Sequence, residues 1–386
     1  MKPSQRISGI DLSIIRQINA LGTALSINLG LGEPNIEPDE RLREMARQAA
    51  GSGSWRYTPN AGSAKLRTLI AHSLGRSWDP HSEICVTAGT QEALFAISQA
   101  WIDPGDEVLI PDPGFLSYEV VVRLAGGTAV TYDLDPDSWQ PDPDGIARRI
   151  TDRTRAIIVN SPSNPTGGVI AADTLQQIAA LAADRGILVI SDEVYREIYY
   201  GKRPSSMSGM GRHVIVVSGL SKSHGMTGLR LGWIAAHEDV MTPIIRAHQY
   251  IATCASAFSQ QLAEAVLEDA GWNASWLENL RAHFSEQREA ALHAVRMHMD
   301  IDVTPPSGAF YLFVPVPVCE TLPLAKSLAT DAAVLAIPGV AFGQRGEGFL
   351  RISYASSVEA IGTGIRRIGD YIRGEELRIQ NSECRK

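Results

Sequence analysis

Short apolar runs alternate with segments of helical periodicity between residues 82 and 236, and this alternation constrains the fold more than any other feature. The apolar runs, which we predict to be strands, are 84–86, 107–110, 156–159, 187–190 and 214–217. Helical patterns lie among them at 91–102, 116–125 and 173–185. Strands that alternate with helices are joined by crossovers and form a largely parallel sheet. We therefore predict an α/β fold around such a sheet, with strands buried on both faces.

Two regions lie outside this alternation. Residues 240–299 are rich in Ala, Leu, Glu and Arg and predict helix. Residues 309–314 and 349–354 have strand patterns and precede a predicted closing helix at 358–373. Because 386 residues are too many for one ordinary core, we expect this last part to form a second, smaller α+β domain.

Charge and cysteine content exclude several classes of protein. A net charge of -8 and a pI of about 5.6 oppose binding to a phosphate backbone, so no nucleic-acid partner is expected. No apolar run approaches the roughly 18 residues that span a bilayer, and residues 1–13 lack the apolar core of a signal peptide. We therefore expect a cytoplasmic protein that binds no membrane. The four cysteines include no CxxC pair, so neither a metal site nor a disulfide framework is expected.

Ligands of α/β sheets bind beyond the carboxyl ends of the strands, and the residues at those positions are unusual here. After the first strand, a turn of small residues leads into a helix near Gln91. Free N–H groups at such a helix start bind phosphate well, although an ordinary turn has the same composition. Asn164 precedes Pro165, which favours extended geometry at Asn164 and leaves its amide to donate to a ligand. A purely structural turn is the alternative.

Charged residues next to predicted strands give the strongest signals. Asp192 follows the 187–190 strand, where a carboxylate is costly unless paired. A protonated pyridine nitrogen is one fitting partner, and a helix N-cap is the alternative role. Lys222 lies in a loop of small residues after the 214–217 strand. A dry pocket there would lower its pKa and make it a competent amine for Schiff-base chemistry, with Arg230 available for a phosphate.

Arg351 lies inside the 349–354 strand pattern, between apolar neighbours. A half-buried arginine needs an anion, and its planar fork suits a carboxylate. A structural ion pair is the alternative explanation.

Several segments resemble the motifs of one enzyme family, in that family's order. The segment from Gly219-Leu-Ser-Lys222 to Arg230-Leu-Gly232 is similar to the pyridoxal-5'-phosphate (PLP) attachment motif of the class I/II aminotransferases, fold type I enzymes of the aspartate aminotransferase superfamily. The other matching segments are Gly32-Glu-Pro, Tyr57-Thr-Pro-Asn-Ala-Gly, Asn164-Pro-Thr-Gly, Asp192-Glu-Val-Tyr195, Gly308-Ala-Phe-Tyr, Pro338-Gly339 with Phe342-Gly343, and Arg351-Ile-Ser-Tyr. The resemblance covers nearly the whole chain.

The resemblance implies a particular architecture. A large PLP-binding α/β domain would span residues 41–275, around a mostly parallel seven-stranded sheet with helices on both faces. A small α+β domain would be formed by both chain ends, residues 1–40 and 276–386. The resemblance also implies a homodimer, in which Tyr57 reaches the cofactor phosphate of the neighbouring site.

The resemblance also implies a role for each site residue. Lys222 would hold PLP as a Schiff base and then carry the proton, Asp192 would keep the pyridine nitrogen protonated, and Tyr195 would bind the phenolic oxygen. The further cofactor contacts would be Asn164 at the same oxygen, Phe115 on the ring face, and Gly89, Thr90, Gln91, Ser221 and Arg230 at the phosphate. The substrate α-carboxylate would be bound by Arg351, Asn164 and Gly32.

The implied reaction moves an amino group from an L-amino acid to a 2-oxo acid, 2-oxoglutarate or pyruvate, by a ping-pong mechanism through pyridoxamine phosphate. Leu229 stands where many relatives have Trp, and we identify no second cation for a distal carboxylate. The donor therefore stays open, with aspartate as one candidate.

Three alternatives remain. PLP-dependent lyases, decarboxylases and cyclopropane-forming synthases share the lysine, the aspartate and the arginine, although segment 226–230 is closer to the transferases. A PLP-binding transcription regulator would need a DNA-binding domain, for which few residues precede Ile27. A nicotinamide-dependent dehydrogenase would need a third glycine after Gly30-Leu-Gly32 or Gly209-Met-Gly211.

Overall fold

The computed structural model describes residues 3–52, 55–75, 78–318 and 320–383. The strands are β1 Ile27–Asn28, β2 Ile84–Thr87, β3 Glu107–Asp112, β4 Thr128–Asp133, β5 Thr154–Asn160, β6 Leu188–Asp192, β7 Val214–Gly219, β8 Gly232–Ala235, β9 Tyr311–Pro315, β10 Val334–Leu335, β11 Ile337–Pro338 and β12 Phe349–Ser353. The α-helices are α1 Ile14–Ala20, α2 Glu40–Ser52, α3 Ala64–Ser73, α4 Thr90–Trp101, α5 Ser117–Ala125, α6 Pro143–Arg149, α7 Ala172–Arg185, α8 Leu220–Ser223, α9 Glu238–Ala252, α10 Ala257–Glu268, α11 Ala270–Met299, α12 Thr321–Asp331 and α13 Val358–Glu383.

A seven-stranded sheet with the order β2-β8-β7-β6-β5-β3-β4 forms the centre of the fold. β8 runs antiparallel to both of its neighbours, and the other pairings are parallel. The predicted α/β fold with a mostly parallel sheet is therefore confirmed. The five strands read from apolar runs all lie in this sheet.

Two strands of this sheet were missed by the sequence analysis, and both have a physical reason. β4 is an edge strand whose residues are mostly half-exposed or exposed, so it lacks the continuous apolar run of a central strand. β8 has only four residues and begins with a glycine, which is a weak strand former.

Both faces of the sheet are covered by helices. Along β5, Ile157 and Val159 belong to one apolar cluster, and Ala156 and Ile158 belong to a second. Alternate residues of a strand point to opposite faces, so the two clusters lie on opposite sides of the sheet. The first cluster includes residues of α7, α10 and α11, and the second includes residues of α4, α5 and α9.

Two smaller sheets bring the chain ends together. β1 pairs in parallel with β10, and β11, β12 and β9 form an antiparallel sheet in that order. The long helix α11 packs along the closing helix α13. Among the described residues, no helix combines the length and the apolar character needed to cross a membrane.

The sheet register sets the position of the candidate site. Asn160 at the end of β5 lies opposite Asp192 at the end of β6, and Asp192 lies opposite Val217 of β7. The loop that carries Asn164 starts from this same edge. Lys222 does not lie in the predicted loop but on the one-turn helix α8, which directly follows β7 at this edge. In the small antiparallel sheet, Arg351 of β12 lies between Ile337 and Phe313 of its two neighbours.

Candidate active site

A cavity of about 600 Å³ lies at the carboxyl edge of the large sheet. The sequence-predicted residues that line it are Gly32, Thr90, Gln91, Phe115, Asn164, Asp192, Tyr195, Ser221, Lys222, Arg230 and Arg351. Gly89 lies against the guanidinium of Arg230 at its border. Tyr57 does not line this cavity, and it is 86% exposed. The fold therefore brings together all the predicted site residues except Tyr57.

Lys222 is half-buried on the one-turn helix α8, directly after β7. Its Nζ donates a hydrogen bond to the carbonyl oxygen of Gly32 at 2.6 Å. Burial lowers the pKa of Lys222 to about 8. The carboxylate of Glu33 raises this pKa in part, and the positive charges of Arg351 and Arg230 lower it further. The amine is therefore neutral, and nucleophilic, far more often near neutral pH than the amine of an ordinary exposed lysine.

Asp192 is a buried carboxylate at the end of β6. The Tyr118 hydroxyl donates to its Oδ2 at 2.9 Å, and the Val194 N–H donates to its Oδ1 at 3.2 Å. Burial raises the pKa of Asp192 to about 6, despite these two hydrogen bonds. Among the described residues Asp192 has no ion pair, so its charge is best stabilised by a cationic group that enters the cavity.

Arg351 is fully buried, and the ion-pair explanation does not apply to it, since no described carboxylate lies within 4 Å of its guanidinium. Its Nη1 donates to Asn164 Oδ1 at 3.0 Å, and its Nη2 donates to the Gly30 carbonyl oxygen. Its Nε has no hydrogen-bond partner in the described part of the chain. The guanidinium also lies 4.6 Å from the Tyr311 ring and 4.9 Å from the Phe342 ring. This arrangement leaves its charge available to an anion.

Tyr195 and Asn164 also line the cavity, with Tyr195 beside Lys222 and Asn164 beside Arg351. The Tyr195 hydroxyl is hydrogen-bonded to the Tyr311 hydroxyl at 2.7 Å, and burial raises the pKa of Tyr195 well above its usual value. Tyr195 therefore stays protonated and is able to donate. Asn164 accepts from Arg351 through its side-chain oxygen, and its backbone N–H donates to Asn160 Oδ1 at 2.9 Å.

Two independent features make the part of the cavity around Thr90 and Arg230 suitable for an anion. α4 begins at Thr90, so the N–H groups of its first turn have no acceptor within the helix. Arg230, in a left-handed conformation with φ 50°, places its guanidinium against Gly89. A Cβ added to Gly89 would lie 2.7 Å from Arg230 Nη2, so only glycine leaves the arginine in place. Gly89 also has φ 89°, which favours glycine.

The chemical demands of the cavity fit PLP. Asp192 is a carboxylate able to pair with a protonated ring nitrogen, the α4 N-terminus and Arg230 could hold a phosphate, and Lys222 carries an amine that could react with an aldehyde. The Nε of Arg351, which has no acceptor in the described residues, is a donor that could bind a carboxylate. All these groups line the same cavity.

Several lining residues were missed by the sequence analysis. Tyr118 lies within an amphipathic helix pattern and was indistinguishable from a core residue, and Tyr311 lies within a strand pattern. Arg16 lines the cavity from α1, and its guanidinium has no hydrogen-bond or ion-pair partner in the described residues. An exposed arginine on a short amphipathic helix carries no signal in the sequence, because such residues are common on surfaces.

Comparison with known proteins identifies the family. A family model described as aminotransferase class I and II matches residues 25–368. The chain belongs to the class I and II aminotransferases. It is 34% identical to an aspartate aminotransferase of Pyrococcus abyssi, over 98% of this chain and 100% of that protein. It is 33% identical to an aromatic-amino-acid aminotransferase of Thermococcus litoralis, over the same shares of the two chains.

The solved structures agree with this family assignment. An aspartate aminotransferase from Thermus thermophilus, solved with maleate, has a TM-score of 0.91 and 31% identity, over 96% of this chain and 99% of that one. The predicted cofactor and reaction are thereby confirmed, and the chain is a PLP-dependent aminotransferase. A lyase or decarboxylase is not favoured, because these relatives are named as aminotransferases.

The lowered pKa of Lys222 predicts unusual reactivity in the cofactor-free protein. Amines react only when deprotonated, so acetylation of Lys222 by a trace of acetic anhydride should rise with pH around a midpoint near 8. Lys65 is the matched control: its Nζ is paired with Glu268 at 2.8 Å, which raises its pKa. Peptide mass spectrometry across pH 6–11 measures both residues. A Lys222 profile that coincides with that of Lys65 would contradict the burial described here.

Proposed function

We propose that this aminotransferase moves the amino group of an L-amino acid to 2-oxoglutarate or pyruvate, with Lys222 as the residue that holds the cofactor and moves the proton. One observation carries the proposal: Lys222, Asp192 and Arg351 line one cavity, and each is a charged group without an ion pair in the described residues. Aminotransfer requires a base, a carboxylate that stabilises a cation and a cation that binds the substrate carboxylate. Lys222, Asp192 and Arg351 supply these in that order.

Lys222 and Asp192 perform the proton chemistry in this proposal. When bound, PLP supplies an electron sink that stabilises negative charge at the substrate Cα. Lys222, with a pKa of about 8, is able to take a proton from the substrate and return it near neutral pH. Asp192, a buried carboxylate at the end of β6, would keep a proton on the ring nitrogen by a charge-assisted hydrogen bond.

The remaining cofactor contacts follow from the hydrogen-bonding capacity of the cavity. Tyr195 and Asn164 donate to the ring oxygen, because Tyr195 stays protonated and both residues line the cavity. Phe115 would cover the ring face. The phosphate would be held by Gly89, Thr90, Gln91, Ser221 and Arg230.

Arg351, with Asn164 and Gly32, binds the substrate α-carboxylate in this proposal. In the present structure its Nη2 donates to the carbonyl oxygen of Gly30. A carboxylate is a stronger acceptor than a carbonyl for a guanidinium, so a substrate is able to replace this contact. The unpartnered Nε provides a further donor for the same anion.

We further propose that the amino donor has an acidic side chain, bound by Arg16. This guanidinium lines the cavity and has no partner in the described residues, so it is able to bind a second carboxylate. The proposal is supported by the aspartate aminotransferase of Pyrococcus abyssi and by the Thermus thermophilus structure with the dicarboxylate maleate. An aromatic donor is the second candidate, since Ile15, Leu94 and Phe115 also line the cavity.

We propose a homodimer in which Tyr57 reaches the phosphate of the partner subunit's cofactor. Trp55, Tyr57 and Tyr250 are 80%, 86% and 88% exposed in the single chain, and exposed aromatic residues of this kind are typical of protein interfaces. Sedimentation at the mass of one chain would contradict this proposal.

The division into a large domain, residues 41–275, and a small domain, residues 1–40 and 276–386, is also part of the proposal. It is supported by the pairing of β1 with β10 and by the confinement of the seven-stranded sheet to residues 84–235. Amide hydrogen exchange that protects residues 1–40 together with 41–275, rather than with 276–386, would contradict it.

The proposed reaction is tested by the absorbance spectrum of the PLP-loaded protein. The proposal predicts a visible band, absent from Lys222→Ala and present in Lys65→Ala. Each of the twenty amino acids is then added singly without an oxo acid, and the donor should convert the visible band into a near-ultraviolet band. A visible band that no amino acid converts would contradict aminotransfer from common amino acids. Absence of the band in the wild-type protein would contradict the role of Lys222.

The proposed role of Arg16 predicts a selective loss. Arg16→Gln should lower kcat/KM for aspartate and glutamate by about 10- to 100-fold, as for loss of a charge-assisted hydrogen bond, and leave alanine and phenylalanine unchanged. Arg185→Gln, which removes an exposed arginine at the end of α7, is the matched control. Steady-state kinetics with the four donors measures this change in kcat/KM. An equal loss for all four donors, or no loss for aspartate and glutamate, would exclude Arg16 as the selecting residue.

A further inference from the structure

The two residues that follow Lys222 are hydrogen-bonded to helix α11, in addition to the bond that the His224 N–H donates to the Leu220 carbonyl oxygen within α8. α8 has only four residues, so it supplies little rigidity to the lysine backbone. Ser223 and His224 are both 4% exposed, and neither lines the substrate cavity. They face the first turns of α11, where Asn273 and Trp276 lie.

Three hydrogen bonds connect this pair to α11 and to each other. Ser223 Oγ lies 2.8 Å from His224 Nδ1, and His224 Nε2 lies 2.9 Å from Asn273 Oδ1. The Trp276 indole N–H donates to the Ser223 carbonyl oxygen at 2.9 Å. The backbone directly after Lys222 is therefore fixed from two directions.

The tautomer of His224 follows from these contacts. Burial lowers the pKa of His224 to about 4, so the ring is neutral at working pH and carries one N–H. Asn273 presents its carbonyl oxygen, which only accepts, so the proton lies on Nε2. Nδ1 then accepts from the Ser223 hydroxyl. Asn273, His224 and Ser223 form one directed chain of hydrogen bonds.

Ring packing holds His224 in this orientation. Its ring is stacked on Trp276 at 6.1 Å with an interplanar angle of 3°, and Trp272 lies 6.2 Å away on a tilted plane. Rotation of the imidazole would break both hydrogen bonds and the stacking together.

The same helix also holds the segment that contacts the lysine amine. Trp272 Nε1 donates to Asp39 Oδ2 at 2.9 Å, and His283 Nε2 lies 3.2 Å from Asn35 Oδ1. Residues 35 and 39 follow Gly32, whose carbonyl oxygen accepts from Lys222 Nζ. α11 therefore constrains the Lys222 backbone through its bond to His224. Through residues 35–39 it also constrains the segment of Gly32, whose carbonyl oxygen accepts from the lysine amine.

We propose that His224, with Ser223 and Asn273, is a positioning unit that orients Lys222 from α11. The inference rests on the proposed role of Lys222. The unit lies outside the cavity that Lys222 lines, and it acts by reducing the range of directions that the lysine amine samples. Fewer directions mean that the amine lies more often within reach of the cofactor aldehyde and of the substrate proton.

The test separates the hydrogen bonds from the packing. His224→Phe keeps a ring on Trp276 and removes both nitrogens, and Asn273→Ala removes only the acceptor. Asn273→Asp keeps an acceptor oxygen and should restore wild-type behaviour. Ser275→Ala, at an exposed position of the same helix, is the control. Melting temperatures identify any variant that is generally destabilised, and Asn273→Ala remains informative where His224→Phe fails to fold.

The first readout is the rate at which the visible band forms after PLP is added to cofactor-free protein. We expect it to fall about 10-fold in His224→Phe and Asn273→Ala and to be unchanged in Asn273→Asp and Ser275→Ala. The second is the kcat and KM split: kcat should fall about 10-fold with an unchanged KM for the donor. A larger isotope effect with Cα-deuterated donor should accompany that fall, because proton transfer becomes more limiting.

The outcomes distinguish this inference from the function on which it rests. Wild-type rates of band formation in both variants, or a change in KM alone, would refute the positioning role while leaving Lys222 as the cofactor lysine. Loss of function in Asn273→Asp equal to that in Asn273→Ala would also refute it. A wild-type protein without a visible band would refute the role of Lys222 and the positioning unit together.

Discussion

The fold removes Asp192 and Arg351 from water and half-buries Lys222, without an ion-pair partner for any of them in the described residues. The cost of that burial appears as a raised pKa for Asp192 and a lowered pKa for Lys222. Such costs are relieved when a ligand brings complementary charges. A PLP ring nitrogen, its aldehyde and a substrate carboxylate meet these three demands at once, so the electrostatics of these groups agrees with the chemistry of the family.

Sheet geometry explains why these groups meet. β5, β6 and β7 are parallel neighbours, so Asn164 after β5, Asp192 at the end of β6 and Lys222 on α8 after β7 all lie at the same edge of the sheet. Arg351 reaches the same cavity from β12, a strand near the end of the chain, and bonds the loop of Asn164. α11 then links the residues that follow Lys222 to the segment around residues 35–39. The site is therefore a junction of elements that are distant in sequence.

Sequence patterns predicted the site residues whose charge is unusual in its local sequence. Lys222, Asp192 and Arg351 each lie next to or inside an apolar strand. Burying a charge there costs free energy, so its presence indicates a functional role. Arg16 was not predicted, because an exposed arginine on a helix is ordinary until the fold brings it to a cavity. Tyr118 was also missed, because its bond to Asp192 depends on the packing of α5 against the sheet. The edge strand β4 lacked the apolar run that identifies central strands.

The assignment of Lys222 as the cofactor lysine is tested most directly by borohydride reduction of the PLP-loaded protein, followed by peptide mapping. Reduction fixes the bond between the cofactor and its lysine. The structure predicts a phosphopyridoxyl group on the peptide that contains Lys222 and on no other lysine peptide. A label on Lys65, Lys202 or Lys326, or no label on a protein that shows the visible band, would contradict the assignment.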